Sequence, residues 1–99
     1  MRPIVLIDLH KRRPAVLLTR EIMLPHLRQV TVAPITSTVR GLSTEVAVGP
    51  QNGLDQASVV NCDNVTTVPV GEIGKTIGYL LPDQESLLTE AIRIAYDLE

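Results

Sequence analysis

The sequence predicts a mainly β domain over residues 1–99: six or seven short strands curved into a small barrel, with one C-terminal α-helix closing it. Three observations lead there. The apolar fraction is 44%, yet there is no Phe or Trp and only two Tyr, so the core must be built from Val, Leu and Ile, which suit strands. The apolar runs are short and separated by turn-length segments. From Pro82 onward the apolar period lengthens to that of a helix. Ninety-nine residues support one core, not two, and a curved barrel removes exposed sheet edges at this size. A core this small also gains from a partner or a second copy.

The elements follow in order. Pro3 to Leu9 reads as a first strand, with Asp8 as an outward break. The link from His10 to Arg13 is so short that the next strand, Pro14 to Thr19, must return antiparallel. Pro14 is acceptable as a first strand residue, where a ladder donor is dispensable. Arg20 to Gln29 is interrupted by Pro25, so a loop with one helical turn is expected, with Ile22, Met23 and Leu27 packing down. Val30 to Thr36 is β-branched and apolar, a third strand. Ser37 to Ser43 is a polar loop turning at Gly41. Thr44 to Val48 alternates as a half-exposed fourth strand does.

Asn52-Gly53 marks a turn within the loop that starts at Gly49. Ser58 to Asp63 and Val65 to Val70 are the fifth and sixth strands, and residues 70–75 a connector with room for one 3₁₀ turn. Thr76 to Leu81 is the seventh strand. The final helix carries Leu87, Leu88, Ala91, Ile92, Ala95 and Leu98 on one face. Pro82 suits its first turn, and Asp83 and Glu85 lie near its positive dipole end.

Composition narrows the chemistry. Cys62 is the only cysteine, so no internal disulfide forms, and it reads as a small buried hydrophobe. His10, His26 and Cys62 lack metal-ligand spacing, so neither a metal nor another cofactor is expected. The apolar runs fall far short of a membrane span, and nothing resembles a secretory signal; a cytoplasmic setting is expected. Neither histidine has the context of a nucleophile's base, and the Gly-rich turns of nucleotide folds are missing.

The net charge of −2 hides an asymmetry. Residues 1–40 carry seven Lys and Arg against two carboxylates, a net +5, while residues 41–99 carry two against nine, a net −7. A segregated basic half can contact phosphate despite an acidic total.

What remains as chemistry is a basic-plus-hydroxyl set: Lys11, Arg12 and Arg13 at one strand end, with Thr36, Ser37, Thr38 and Arg40 at another. Arginine presents a donor fork that matches phosphate oxygens, and a threonine hydroxyl beside it adds a further hydrogen bond. RNA supplies its own nucleophile, the 2′-hydroxyl, so a ribonuclease needs only to align it and stabilise the crowded phosphate. Composition by itself favours the plainer reading, a solvated hairpin tip and ordinary strand-end polarity.

Four blocks, in order and at the right distances, tip the balance: Arg12 to Thr19 (RRPAVLLT), Val32 to Ser37 (VAPITS), Ser58 to Val68 (SVVNCDNVTTV) and Ile77 to Leu80 (IGYL) before the last helix. Together they resemble a MazF/PemK-type toxin, an mRNA interferase, over roughly residues 8–98. The resemblance implies an SH3-like barrel and a homodimer. It implies a metal-independent, sequence-specific endoribonuclease acting on single-stranded RNA, leaving 2′,3′-cyclic phosphate and 5′-hydroxyl ends. The family's catalytic arginine and threonine fall on Arg13 and Thr36, leaving Lys11, Arg12, Ser37, Thr38 and Arg40 to bind RNA. The partner it implies is a cognate antitoxin whose flexible acidic tail covers the basic groove.

The chain departs from the family pattern at its start: only His10-Lys11-Arg12 stands before Arg13, where relatives carry a longer polar loop. Two other functions compete. One is a non-catalytic, CcdB-like inhibitor of DNA gyrase acting through the C-terminal helix; the other is an inactive RNA-binding module.

Overall fold

Strand β3 (Gln29–Thr36) has three strand neighbours along its length, and the fold turns on that sharing. In the computed structural model, which describes residues 1–8 and 11–99, seven strands precede one helix. They are β1 (Pro3–Asp8), β2 (Arg12–Leu17), β3, β4 (Glu45–Val48), β5 (Ser58–Asn61), β6 (Thr66–Pro69) and β7 (Ile73–Tyr79), followed by α1 (Pro82–Ala95).

The sheet runs β4-β5-β3-β2-β1-β7, with β6 on the first half of β3, and every pairing is antiparallel. Along one edge of β3, Gln29 to Val32 pair with β6; then Ile35 and Thr36 pair with β5. Pro34 falls where one partner has ended and the next not begun, a place where a strand tolerates a residue without an N–H. The hand-over folds the sheet on itself, as the mainly β expectation requires.

Apolar side chains are buried on both faces. Ile4, Val16, Ala33, Ile35, Val60 and Leu80 form one cluster with Leu88 and Ala91 of α1. Val5, Ile7, Ala15, Leu17, Val30, Val32 and Val68 form the other. Two-faced burial explains why these strands read as continuous apolar runs instead of alternating.

Several element bounds differ from the expected ones. β2 begins at Arg12, not Pro14, because β1 supplies partners beyond the proline: Ile7 faces Arg13 and Asp8 faces Arg12. The basic residues Arg12 and Arg13 are therefore in the strand, not ahead of it. The expected link through His10, and Leu9 as the end of the first strand, lie outside the described residues. β5 ends at Asn61, where the Asn61 side chain accepts a hydrogen bond from the Asp63 N–H and starts a 3₁₀ turn, Cys62–Asn64. β7 starts early, at Ile73, directly after the 3₁₀ turn Val70–Glu72.

The segment Glu21–His26 is a 3₁₀ helix containing Pro25. Ile22 does not pack down as expected but is 78% exposed; Leu24 packs against the second cluster instead. On α1, Leu88 and Ala91 are buried, but Leu87, and Leu98 beyond the end of the helix, are more than half exposed. Leu87 lies to the side of the narrow strip that contacts the sheet. Leu98 follows Asp97, whose φ of 54° ends the helical period.

Two buried amides join the helix to the sheet. The Asn52 Nδ2 donates to Gln84 Oε1 at 2.6 Å and to the Tyr79 carbonyl at 2.9 Å. Gln84 Nε2 donates to Asn52 Oδ1 at 3.1 Å and to the Ala47 carbonyl at 3.2 Å. Gln84 also accepts from the Leu81 N–H at 2.9 Å, so the side chain that caps α1 also holds β4 and the 50–53 turn. Beside it, Gly53 and Gly78 let two backbones touch: a Cβ on Gly53 would strike the Ile77 carbonyl, and one on Gly78 the Asn52 carbonyl. Gly53, at φ 87°, also needs glycine for its left-handed backbone.

Candidate active site

The site opens where β2 and β3 part. Their ladder runs from Leu17↔Val32 to Ala15↔Pro34. Continued by two residues, that register sets Arg13 opposite Thr36. There, however, the β2–β3 ladder has ended: Arg13 keeps only its β1 partner, Ile7, and Thr36 only its β5 partner, Val59. The parted strand ends leave two clefts.

The larger cleft, about 560 Å³, is lined by Lys11, Arg12, Arg13, Thr36 and Ser37 on one side. Its far wall is the segment from Gly53 to Gln56, with Ser58. The smaller, about 300 Å³, is lined by Arg13, Thr36, Thr38 and Arg40, with Asn61 and Asn64. All seven residues singled out from sequence thus line one cleft or the other, and Arg13 and Thr36 line both. The walls Gly53–Gln56, Ser58, Asn61 and Asn64 were not singled out. Gly53–Gln56 shows only a polar, turn-rich composition, which fits any loop, and Ser58, Asn61 and Asn64 fall in the third family-like block without standing out as site residues.

Hydrogen bonding prepares the threonine. Thr36 is half-buried, and its Oγ1 accepts from the Thr38 N–H at 3.1 Å. That bond fixes the oxygen and leaves its O–H to donate. The cations are also available. Among the described residues the one side-chain ion pair is Arg93 with Glu90 on α1, so Lys11, Arg12, Arg13 and Arg40 carry no carboxylate partner. Lys11, Arg12, Arg13 and Arg40 are all exposed. Part of the N-terminal positive charge is therefore concentrated at the clefts. Arg2 is employed elsewhere, donating to the Leu17 and Leu18 carbonyls at 3.0 and 2.8 Å.

Of the other titratable groups, Asp55 lines the larger cleft, whereas His26 and Cys62 do not. His26 ends the 3₁₀ segment Glu21–His26 and lines neither cleft. Cys62 is buried, and burial together with the neighbouring Asp63 carboxylate pushes its thiol up to about 11, so it stays protonated and is no nucleophile. Among the described residues no three His, Cys, Asp or Glu side chains cluster as metal ligands.

Residues 3–96 match the family described as PemK-like, MazF-like toxin of type II toxin–antitoxin system. The chain belongs to this family. It is 60% identical over 99 residues to the endoribonuclease MazF3 of Mycobacterium tuberculosis, covering 100% of this chain and 96% of that relative. Among solved structures, the Mycobacterium tuberculosis toxin MazF-mt6 shares 59% identity, with 99% of each chain covered and a TM-score of 0.95. An endoribonuclease in complex with its cognate antitoxin, from a mycobacterial species, matches at 28% identity with a TM-score of 0.85, over 100% of this chain and 96% of that one. The MazF-like assignment read from four sequence blocks therefore holds, and so does the fold expected with it. In this MazF-like chain the parted β2 and β3 ends bring an arginine and a hydroxyl to the same two clefts.

Proposed function

We propose that this MazF-like toxin is a metal-independent, sequence-specific endoribonuclease for single-stranded RNA, with Arg13 and Thr36 at the reacting phosphate. The observation that carries the reading is that these two residues line both clefts. A phosphate between them has RNA leading away on either side. Lys11, Arg12 and Ser37 meet the strand in the larger cleft; Thr38 and Arg40 meet it in the smaller. Single strands fit because their bases are readable only when unstacked.

In the reaction the 2′-oxygen attacks the adjacent phosphorus and the bond from phosphorus to the 5′-oxygen breaks. The products are a 2′,3′-cyclic phosphate and a 5′-hydroxyl. The Arg13 guanidinium donates to the phosphate oxygens as charge builds on them and passes a proton to the leaving 5′-oxygen. The 2′-hydroxyl gives its proton to solvent, and Arg13 takes one back from solvent, so the guanidinium ends charged as it began. Thr36 donates its free O–H to the same phosphate. Donors fixed in advance act most strongly where charge develops in the transition state.

Residues 1–99 act as a single toxin domain in this reading, paired as a homodimer in the cytoplasm, where its RNA substrate is. A cognate antitoxin with a flexible acidic tail neutralises it by covering the unpaired cations of the clefts. The deciding experiment is incubation with a long RNA in EDTA, followed by primer extension. Discrete cuts that reveal a shared sequence are expected, with cyclic phosphate at the 3′ ends. Uncut RNA across several long substrates overturns the reading.

A further inference from the structure

The loop between β3 and β4 is tied down by one side chain. Glu45, the first residue of β4, turns its carboxylate back into the loop. Its Oε1 accepts from the Gly41 N–H at 2.8 Å, from Leu42 at 3.1 Å and from Arg40 at 3.2 Å, and its Oε2 also accepts from Arg40 at 3.2 Å. Three successive amides therefore converge on one carboxylate, in the manner of an anion-binding nest. Gly41 makes this feasible: its φ is 76° and no atom lies within 4 Å of an added Cβ, so it is the backbone conformation and not crowding that calls for glycine.

One backbone bond, from the Glu45 N–H to the Leu42 carbonyl at 3.0 Å, also closes the turn. Val39 is 58% exposed and Leu42 48% exposed, so core packing does not fix it. Yet it carries Thr38 and Arg40 into the smaller cleft beside Arg13 and Thr36. The Glu45 carboxylate grips the main chain of Arg40, while the Arg40 guanidinium has no carboxylate partner among the described residues. The Glu45 carboxylate is thus occupied by amides instead of cancelling the cation.

We propose that Glu45 is a positioning residue for RNA: it holds the Arg40 turn in place so that the guanidinium meets the phosphate next to the one at Arg13 and Thr36. This rests on the RNA-cleaving reading above. Ordering the turn before RNA arrives removes a cost that binding would otherwise meet. The effect belongs to substrate grip and not to the chemical step, because neither Glu45 nor Arg40 touches the reacting bond.

The test compares Glu45→Ala, Glu45→Gln, Arg40→Ala and the Glu45→Ala/Arg40→Ala double variant with the wild-type chain. Cleavage is measured on an RNA carrying the mapped sequence, and binding on its analogue with 2′-deoxyribose at the cut. Glu45→Ala is expected to raise KM and Kd about tenfold, the size of one lost charge-assisted contact, with kcat within about threefold. Arg40→Ala should match it, and the double variant should be no worse than Arg40→Ala alone. Glu45→Gln, which keeps an acceptor oxygen, should fall between wild type and Glu45→Ala. Faster amide exchange at residues 40–42 in a Glu45→Ala chain of unchanged melting temperature supports the proposal. Wild-type KM and Kd in Glu45→Ala overturn it, as do effects that multiply in the double variant or a fall in kcat at constant KM. If instead the wild-type chain leaves RNA uncut, it is the RNA-cleaving reading that fails.

Discussion

Arg13 and Thr36 line both clefts at the parted end of the β2–β3 ladder, one contributed by each strand. Both pair through their backbones, and neither side chain fills the core: Arg13 is exposed and Thr36 half-buried. Arg13→Ala and Thr36→Ala are therefore expected to fold as the wild type does while each losing roughly 10²–10³ in cleavage rate, the usual cost of one preorganised donor. Arg13→Lys keeps the charge but not the planar fork, and should stay severely impaired. Single-turnover cleavage in EDTA, alongside thermal melts, checks both halves. A wild-type rate in either alanine variant removes that residue from the site.

The Asn52–Gln84 pair predicts a coupled stability loss. Both side chains are buried, and replacing one by an apolar residue removes both of its hydrogen bonds to the other, leaving one of the remaining amide's N–H groups without a partner. Asn52→Leu and Gln84→Leu should each destabilise by about 1–3 kcal/mol, the cost of a buried polar group without its partner. The double variant should cost clearly less than the sum, since no orphaned amide remains of the pair. Urea denaturation of the four chains measures the coupling; strict additivity would show that the two amides do not act together.

At the backbone crossing, size alone should decide. Gly78→Ala puts a Cβ into the Asn52 carbonyl and is expected to destabilise by about 3 kcal/mol. Gly71→Ala, with no atom within 4 Å of the added carbon, should stay within about 0.5 kcal/mol of wild type. Matching urea midpoints for the two would refute the crossing.

Cys62 gives a pH dependence whose sign follows from its burial. The folded chain holds the thiol near 11 against an ordinary 9.0, so only the unfolded chain releases the proton between those values. The contribution is complete below pH 9 and declines as pH rises toward 11, by roughly 1.4 kcal/mol per unit at most. Cys62→Ala should flatten that decline. In the native chain at pH 8 the thiol should resist iodoacetamide, and react once urea unfolds the protein.

How far the sequence reveals this design depends on the range of each interaction. The two strand ends that carry Arg13 and Thr36 are legible locally, but it is the resemblance of four sequence blocks to a family that singles out these two among seven candidates. The exact start of β2 is not legible, since Pro14 reads as a beginning until β1 offers Ile7 and Asp8 as partners beyond it. The cleft wall from Gly53 to Gln56 looks like any polar loop. What brings it to the site is a contact between two glycines far apart in the chain. Gln84 hides for the same reason: an exposed-looking residue in a helix's first turn becomes a buried hub only when Asn52 and Ala47 arrive. Leu87 and Leu98 show the converse, an apolar period running wider than the strip of sheet available to cover it.

The placement of Gln84 also has a consequence for timing. It reaches back 32 residues to Asn52 and 37 to Ala47, and it lies in α1, which leaves the ribosome after all seven strands. Arg13 and Thr36 emerge long before it, but the turn that walls their cleft is pinned only after the helix is out. A chain that still lacks the helix thus carries Arg13 and Thr36 without the pinned turn beside them. Chains cut back to Leu81 should leave added RNA intact where chains running through Glu99 cleave it, so that completion of the groove is the step that arms the protein.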